Sequence, residues 1–248
     1  MASRVQINPL RLVQAYVECV RRDVLPAFDN LETRANDVAN DEYDRLLAHT
    51  ARDDWDGDAS YLAEAAENKG AGFYETFAAM RQSLLNLFAV GLFHLLEQQV
   101  ADLCHDGAFL VSPLESTQLV GPVSTWYLQH FDLNLQGLPS WPRIDELRLV
   151  ANVTKHAEGN SADQLRRRRP ALFCPPCFKE KHPESVHLSA NVARPLAGDD
   201  LYVTPEVLQE YGEVAMAFLS EIEHYFQEHR DEHYPRGASA SSGILRST

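Results

Sequence analysis

The chain has 248 residues, 45% of them hydrophobic and 23% charged, with a formal net charge of −14 and a pI near 5.1. That length suits one large domain, or a domain with an appendage, with a sizeable core; the composition is that of an ordinary globular protein, and the four cysteines lack the dense spacing of a disulfide-stapled domain. The acidic balance repels nucleic acid at long range, so any nucleic-acid site must be a local basic patch.

The first ten residues, MASRVQINPL, contain no apolar signal core. The longest apolar stretch, Leu84 to Leu96, is interrupted by Asn86 and His94 and falls short of the roughly 20 residues that span a bilayer. The expectation is a cytoplasmic protein with no membrane association. Asn8-Pro9 predicts a helix start, with asparagine as cap and proline in the first turn. Leu10, Leu12, Val13, Tyr16, Val17 and Val20 then recur at helical spacing. Cys19 and Cys104 sit in apolar helical patterns and are expected to pack as small hydrophobes. The stretch from Glu32 to Asp58 is acidic and polar, with a short helical pattern near Tyr43 to Ala48.

The strongest helical pattern runs from Phe73 to Cys104. Phe73, Phe77, Met80, Leu84, Leu87, Gly91 and Leu95 follow at steps of three or four, and Leu85, Leu92, Phe93, Leu96 and Val100 widen the apolar face. This helix is expected at the centre of the core. Asp106-Gly107 closes it. Gly121-Pro122 punctuates the chain before a short helix from Val123 to His130. Trp141-Pro142 leads into a helix from Arg143 to His156, with Gly159 as its left-handed cap. Ser161 and Gln164 fit a capping box that opens a short helix through the arginines, ended by Pro170. Phe173 to Asp200 carries Pro175, Pro176, Pro183 and Pro195 and reads as a long loop or small β insertion. Leu201 to Thr204 is the best candidate strand. Thr204-Pro205-Glu206 starts the last helix, which buries Val207, Leu208, Tyr211, Val214, Ala215, Phe218, Leu219, Ile222 and Phe226. The tail GASASSGILRST reads as disordered. The fold class is therefore all-α: a helical bundle around a long central helix, one domain over 1–236 with an insertion at 173–203.

The segment ELRLVANVTKHAEG, residues 146–159, carries the functional argument. Arg148, Asn152 and His156 are spaced by four and share a helix face, and Lys155 lies three beyond Asn152. One helix end thus offers an amide, an ammonium and an imidazole. Between Arg143 and Lys181 there are nine Lys/Arg against five Asp/Glu, a local excess of positive charge in an acidic chain. This is the form an RNA or phosphate site requires, with Arg166, Arg167, Arg168 and Arg169 as the RNA-binding run. The bland alternative is a solvated face in which His156 caps the helix and the arginines pair with acids elsewhere.

Trp141, the ELRLVAN run, His156 four residues after Asn152, and Gly159, all following a long helix that contains Leu96-Glu97, resemble the HEPN superfamily. The resemblance is specific over Trp141 to Gly159 and follows helix order alone elsewhere. It implies a small, usually dimeric helical bundle, in many members a metal-independent ribonuclease of toxin–antitoxin, abortive-infection or antiviral defence systems, with RNA and an antitoxin or other protein as partners and no cofactor. The family's signature arginine falls on Ala151 in this chain. Arg148, one turn earlier, or Lys155, beside the histidine, is left to supply the cation. With that chemistry His156 moves the proton of the ribose 2′-OH or of the leaving 5′-oxygen, Lys155 or Arg148 holds the phosphate, and Asn152 orients. Some members of the superfamily are silent binding modules, and Ala151 supports that alternative here.

Three further patterns compete. Cys174, Cys177, His182 and His187 have a C-x2-C-x4-H-x4-H spacing that a tetrahedral zinc accepts, although prolines stand where a knuckle carries glycines. His229 and His233 are four apart without the order of a zinc-protease motif. His94 and Glu97, polar and three apart on the core helix, are expected to hydrogen-bond to a neighbouring element rather than to line a cleft.

Overall fold

A computed structural model of the chain describes residues 8–50, 59–107, 116–186 and 200–229. The fold is all-α, with no strand among the described residues. Helix α1 spans Pro9–Cys19, and the Asn8 side-chain oxygen caps it by accepting the N–H groups of Leu10 at 2.8 Å and Arg11 at 3.3 Å. A π-helical turn at Val20–Val24 and a 3-10 turn at Leu25–Phe28 lead to α2, Leu31–Thr50. Then follow α3, Ala59–Gly107; α4, Ser124–Phe131; α5, Trp141–His156; α6, Asn160–Arg168; α7, Pro176–Lys181; and α8, Pro205–Glu228.

Two compact units emerge. The first comprises residues 1–15, 91–148 and 210–248. Its core is aromatic: Tyr127 and Phe131 of α4 pack with Phe226 of α8, Trp126 packs on Phe131, and Trp141 of α5 meets Phe218 at 6.0 Å between ring centres. Polar tips of the buried rings find backbone partners, as burial requires. The Tyr127 hydroxyl donates to the Val100 carbonyl at 2.9 Å, and the Tyr225 hydroxyl to that of Phe131 at 2.5 Å. Glu97 accepts the Leu119 N–H at 3.1 Å, and its other oxygen lies 3.1 Å from His94 Nδ1. The pair therefore ties α3 to the next segment. Buried Glu146 is held by Arg143 and by the Tyr211 hydroxyl, 2.7 Å away, and Arg143 also pairs with Glu210.

The second unit comprises residues 16–90 and 149–209. Leu85 and Ala89 of α3, Leu149, Val150 and Val153 of α5, Ala162 and Leu165 of α6, and Leu172, Phe173, Leu201 and Val203 are buried there. Each fully buried aliphatic side chain contributes about 1.5–3 kcal/mol. Helices α2 and α3 come into backbone contact at Gly70. A Cβ there would lie 2.7 Å from the Ala35 carbonyl oxygen and 3.0 Å from the Ala39 methyl.

Several expectations are corrected. The polar stretch after Glu32 forms a 20-residue helix, of which only Leu31 and Ala35 are buried. The stripe Phe73–Phe77–Met80–Leu84–Leu87–Gly91–Leu95 is not the core face: Met80 and Leu87 are exposed and none of the seven is buried. The opposite side, with Leu85, Ala89, Leu92, Leu96 and Val100, is fully buried. Leu201 to Thr204 is not a strand. The amide of buried Asn86 stands in for a partner strand, donating to the Leu201 carbonyl at 2.7 Å and accepting the Val203 N–H at 3.2 Å. The Pro-rich segment after Phe173 is neither loop nor β through residue 186, but α7 flanked by 3-10 turns at Pro170–Phe173 and Pro183–Ser185. Prolines at the first helical positions favour such turns. Cys19 is exposed and Cys174 is buried. The tail beyond residue 229 and the side chain of Cys104 lie outside the described residues. By length and composition α3 is apolar enough to cross a membrane, but 56% of its most apolar stretch is buried inside the protein, as in a core helix.

Candidate functional site

The candidate site lies at the C-terminal end of α5 and the turn into α6. Leu149, Val150 and Val153 anchor α5, so the remaining side of its last turn faces outward. Lys155 and His156 are adjacent and exposed there. Among the described residues neither side chain has a hydrogen bond or ion pair. Asn152 is half-buried, and its amide nitrogen lies 3.5 Å from Ser161 Oγ, at the limit of a hydrogen bond.

The helix ends differently from its expected form. The left-handed residue is Ala157, at φ 57°, while Gly159, at φ 142° and ψ −169°, is the cap of α6. Gly159 occupies a backbone region open to glycine alone, so it fixes the angle between the helices. Ser161 is therefore inside α6 and forms no capping box; the α6 cap makes no side-chain hydrogen bond.

Arg166 closes this turn from within. Its side chain is 4% exposed, pairs with Glu158 and lies over the Phe173 ring at 4.9 Å. The hydrogen bonds to Glu158 push the guanidinium pKa up, so the charge is permanent. Of the predicted arginine run, Arg166 is committed to the fold, Arg169 is half-buried, and Arg167 and Arg168 are exposed. Arg148 donates to Asp145 at 2.8 Å through Nε, one turn before Asn152 and away from the helix end. Ala151, at the position of the resemblance's arginine, is 1% exposed. The structure thus brings Asn152, Lys155 and His156 to one helix end and leaves the arginine position as a methyl group in the core.

The competing patterns separate. Cys174 is buried, Cys177 is exposed at the start of α7, and His187 lies outside the described residues. Among the described residues no group of three His, Cys, Asp or Glu is placed to hold a metal ion. His229 stacks on Tyr225 at 4.1 Å, and His233 lies outside the described residues. An open groove of about 340 Å³ between α2 and α3, lined by Glu32, Asn36, Glu67 and Tyr74 over Ala35, Ala39, Gly70 and Ala71, contains none of the sequence-predicted residues.

Sequence reasoning passed over Phe178, which is exposed on α7 with its ring 5.0 Å from that of His182. An aromatic directly before Lys179 and three residues before Lys181 was the available signal. Comparison with protein-family models, with curated proteins and with solved structures found no match.

Proposed function

We propose that this chain is a HEPN-like helical module that binds RNA at the exposed end of α5 without cleaving it. The carrying observation is the pairing of exposed Lys155 and His156 with a buried Ala151 in the position the resemblance gives to arginine. Arg148 does not replace that arginine, since its guanidinium is bound to Asp145. Phosphate charge is then met in the ground state by Lys155 and by exposed Arg167, while the guanidinium that the resemblance aims at charge developing in a transition state is replaced by the buried Ala151 methyl.

A second reading, a metal-independent ribonuclease acting as a homodimer, is favoured by the exposure of His156. In it the 2′-OH attacks its own phosphate, His156 takes or returns the proton, and a 2′,3′-cyclic end is left. One experiment separates the two. Single-stranded RNA is incubated with the parent, His156→Ala and Lys155→Ala in EDTA, with binding measured by anisotropy and ends by chemical analysis. The expected result is binding by the parent, weakened roughly threefold to tenfold in Lys155→Ala by loss of one phosphate contact, and intact RNA throughout. Cleavage to cyclic phosphates that disappears in His156→Ala would overturn the binding reading and establish the nuclease.

A further inference from the structure

We propose that α7 is a base-stacking platform: the Phe178 ring receives an unpaired base, and Lys179 and Lys181 hold the phosphates on either side of it. The proposal rests on the RNA-binding reading above and specifies its ligand as single-stranded RNA.

Helix α7 buries none of its residues. Phe178 is partly covered by the protein and keeps 38% of its surface open to water, so part of the ring is left for a partner. The two prolines at positions 175 and 176 preset the backbone of this short helix, so it presents its side chains without needing a buried face. Phe178 and His182 are four apart and share a side of the helix, with ring centres 5.0 Å apart at 43°. The His182 side chain is 53% exposed, with Nδ1 3.8 Å from a Glu184 carboxylate oxygen. Lys181, three residues after Phe178, lies on the same side, and Lys179 directly follows Phe178. Aromatic faces beside cations are the two components of single-strand recognition: the ring takes any base, and the ammonium groups follow the backbone. Glu180, between the lysines, offsets part of their charge, so the ring rather than net charge must supply much of the affinity. A duplex keeps its bases stacked on one another and offers the ring nothing, so the platform discriminates by strandedness.

The test compares a 12-nucleotide single-stranded RNA with the same sequence as a duplex, by anisotropy, using the full chain and the variants Phe178→Ala, Phe178→Leu, Phe178→Trp and Lys155→Ala. Circular dichroism and thermal melting confirm the fold of each. Loss of one stacked base predicts that Phe178→Ala and Phe178→Leu bind the single strand about 5- to 100-fold more weakly, while Phe178→Trp retains affinity and adds a tryptophan signal quenched on binding. If the parent binds RNA and Lys155→Ala weakens it but the three Phe178 variants match the parent, the platform is overturned and the α5 reading stands. If the parent binds neither strand nor duplex, both are overturned.

Discussion

Asn86 shows how much one side chain determines. It is a polar residue in the middle of an apolar stretch, buried to 2%, and its amide satisfies the backbone of the segment before α8. Gln82 adds a third bond to this amide, donating to the oxygen that also accepts the Val203 N–H, at 3.1 Å. Replacing Asn86 by alanine leaves the Leu201 carbonyl and the Val203 N–H without their partner in a buried setting. That costs roughly 2–3 kcal/mol, read as a lower midpoint in urea denaturation. An unchanged midpoint would mean that water reaches these groups and that the segment is held by packing alone. From the sequence, Asn86 registered only as an interruption of an apolar run. Its partners lie 115 and 117 residues away, beyond any local pattern.

Two glycines in α3 separate local propensity from packing at the scale of the element. Both sit in helix interior, where alanine is favoured over glycine by about 1 kcal/mol. Gly72 has nothing within 4 Å of its Cβ position, so Gly72→Ala is expected to stabilise the protein by roughly 0.5–1 kcal/mol. Gly70 meets the Ala35 carbonyl oxygen of α2 at 2.7 Å, a backbone atom that cannot rotate away. Gly70→Ala must push the two helices apart and is expected to destabilise by about 1–3 kcal/mol despite the better propensity. Thermal unfolding of both variants checks the opposite signs. The same helix pair is joined by Glu42, which accepts from Arg45 on its own helix and from Lys69 on α3, each at 2.6 Å. Its bond to Arg45, and then that to Lys69, hold the carboxyl at about 2 instead of 4.5. A depressed carboxylate stabilises above its unfolded pKa, and that contribution is lost as pH falls from about 4.5 to 2. Glu42→Gln should therefore melt slightly below the parent at pH 7 and coincide with it near pH 2. The gap at pH 7 is small because Arg45 and Lys69 are well exposed.

For the whole molecule, the net charge of −14 and the local basic stretch act on RNA in opposite directions. The general repulsion reaches about 30 Å at 0.01 M salt but only about 10 Å at 0.1 M. On the proposed RNA-binding reading, direct phosphate contacts at Lys155, Lys179 and Lys181 would be governed instead by counterion release, with a slope of roughly −0.7 per contact for single strands. Near 0.1 M the contacts dominate, so RNA affinity should fall with rising salt, and Lys179→Ala should flatten the slope by about 0.7. An affinity indifferent to salt would show that these lysines do not touch phosphate.

Local sequence by itself determined the all-α class, the start of α1 at Asn8-Pro9, the start of α8 at Thr204-Pro205, the buried side of α8 and the helix that carries Asn152, Lys155 and His156. These depend on caps and on the 3.6-residue period, which act within a turn or two. Tertiary structure decided the rest. From Leu84 to Leu96 helix α3 is apolar on nearly every side, so periodicity could not choose its buried face; the neighbouring elements chose Leu85, Ala89 and Leu92 over Met80 and Leu87. Arg166 looked like part of an RNA-binding run until Glu158 and Phe173 drew it inward. Arg148 looked like a spare cation until Asp145 bound it. Phe178 gained its interest only because the fold leaves 38% of its surface open to water. Which face is buried, and which charges are left for a partner, depend on contacts between residues far apart in the chain, and those exist only once it has folded.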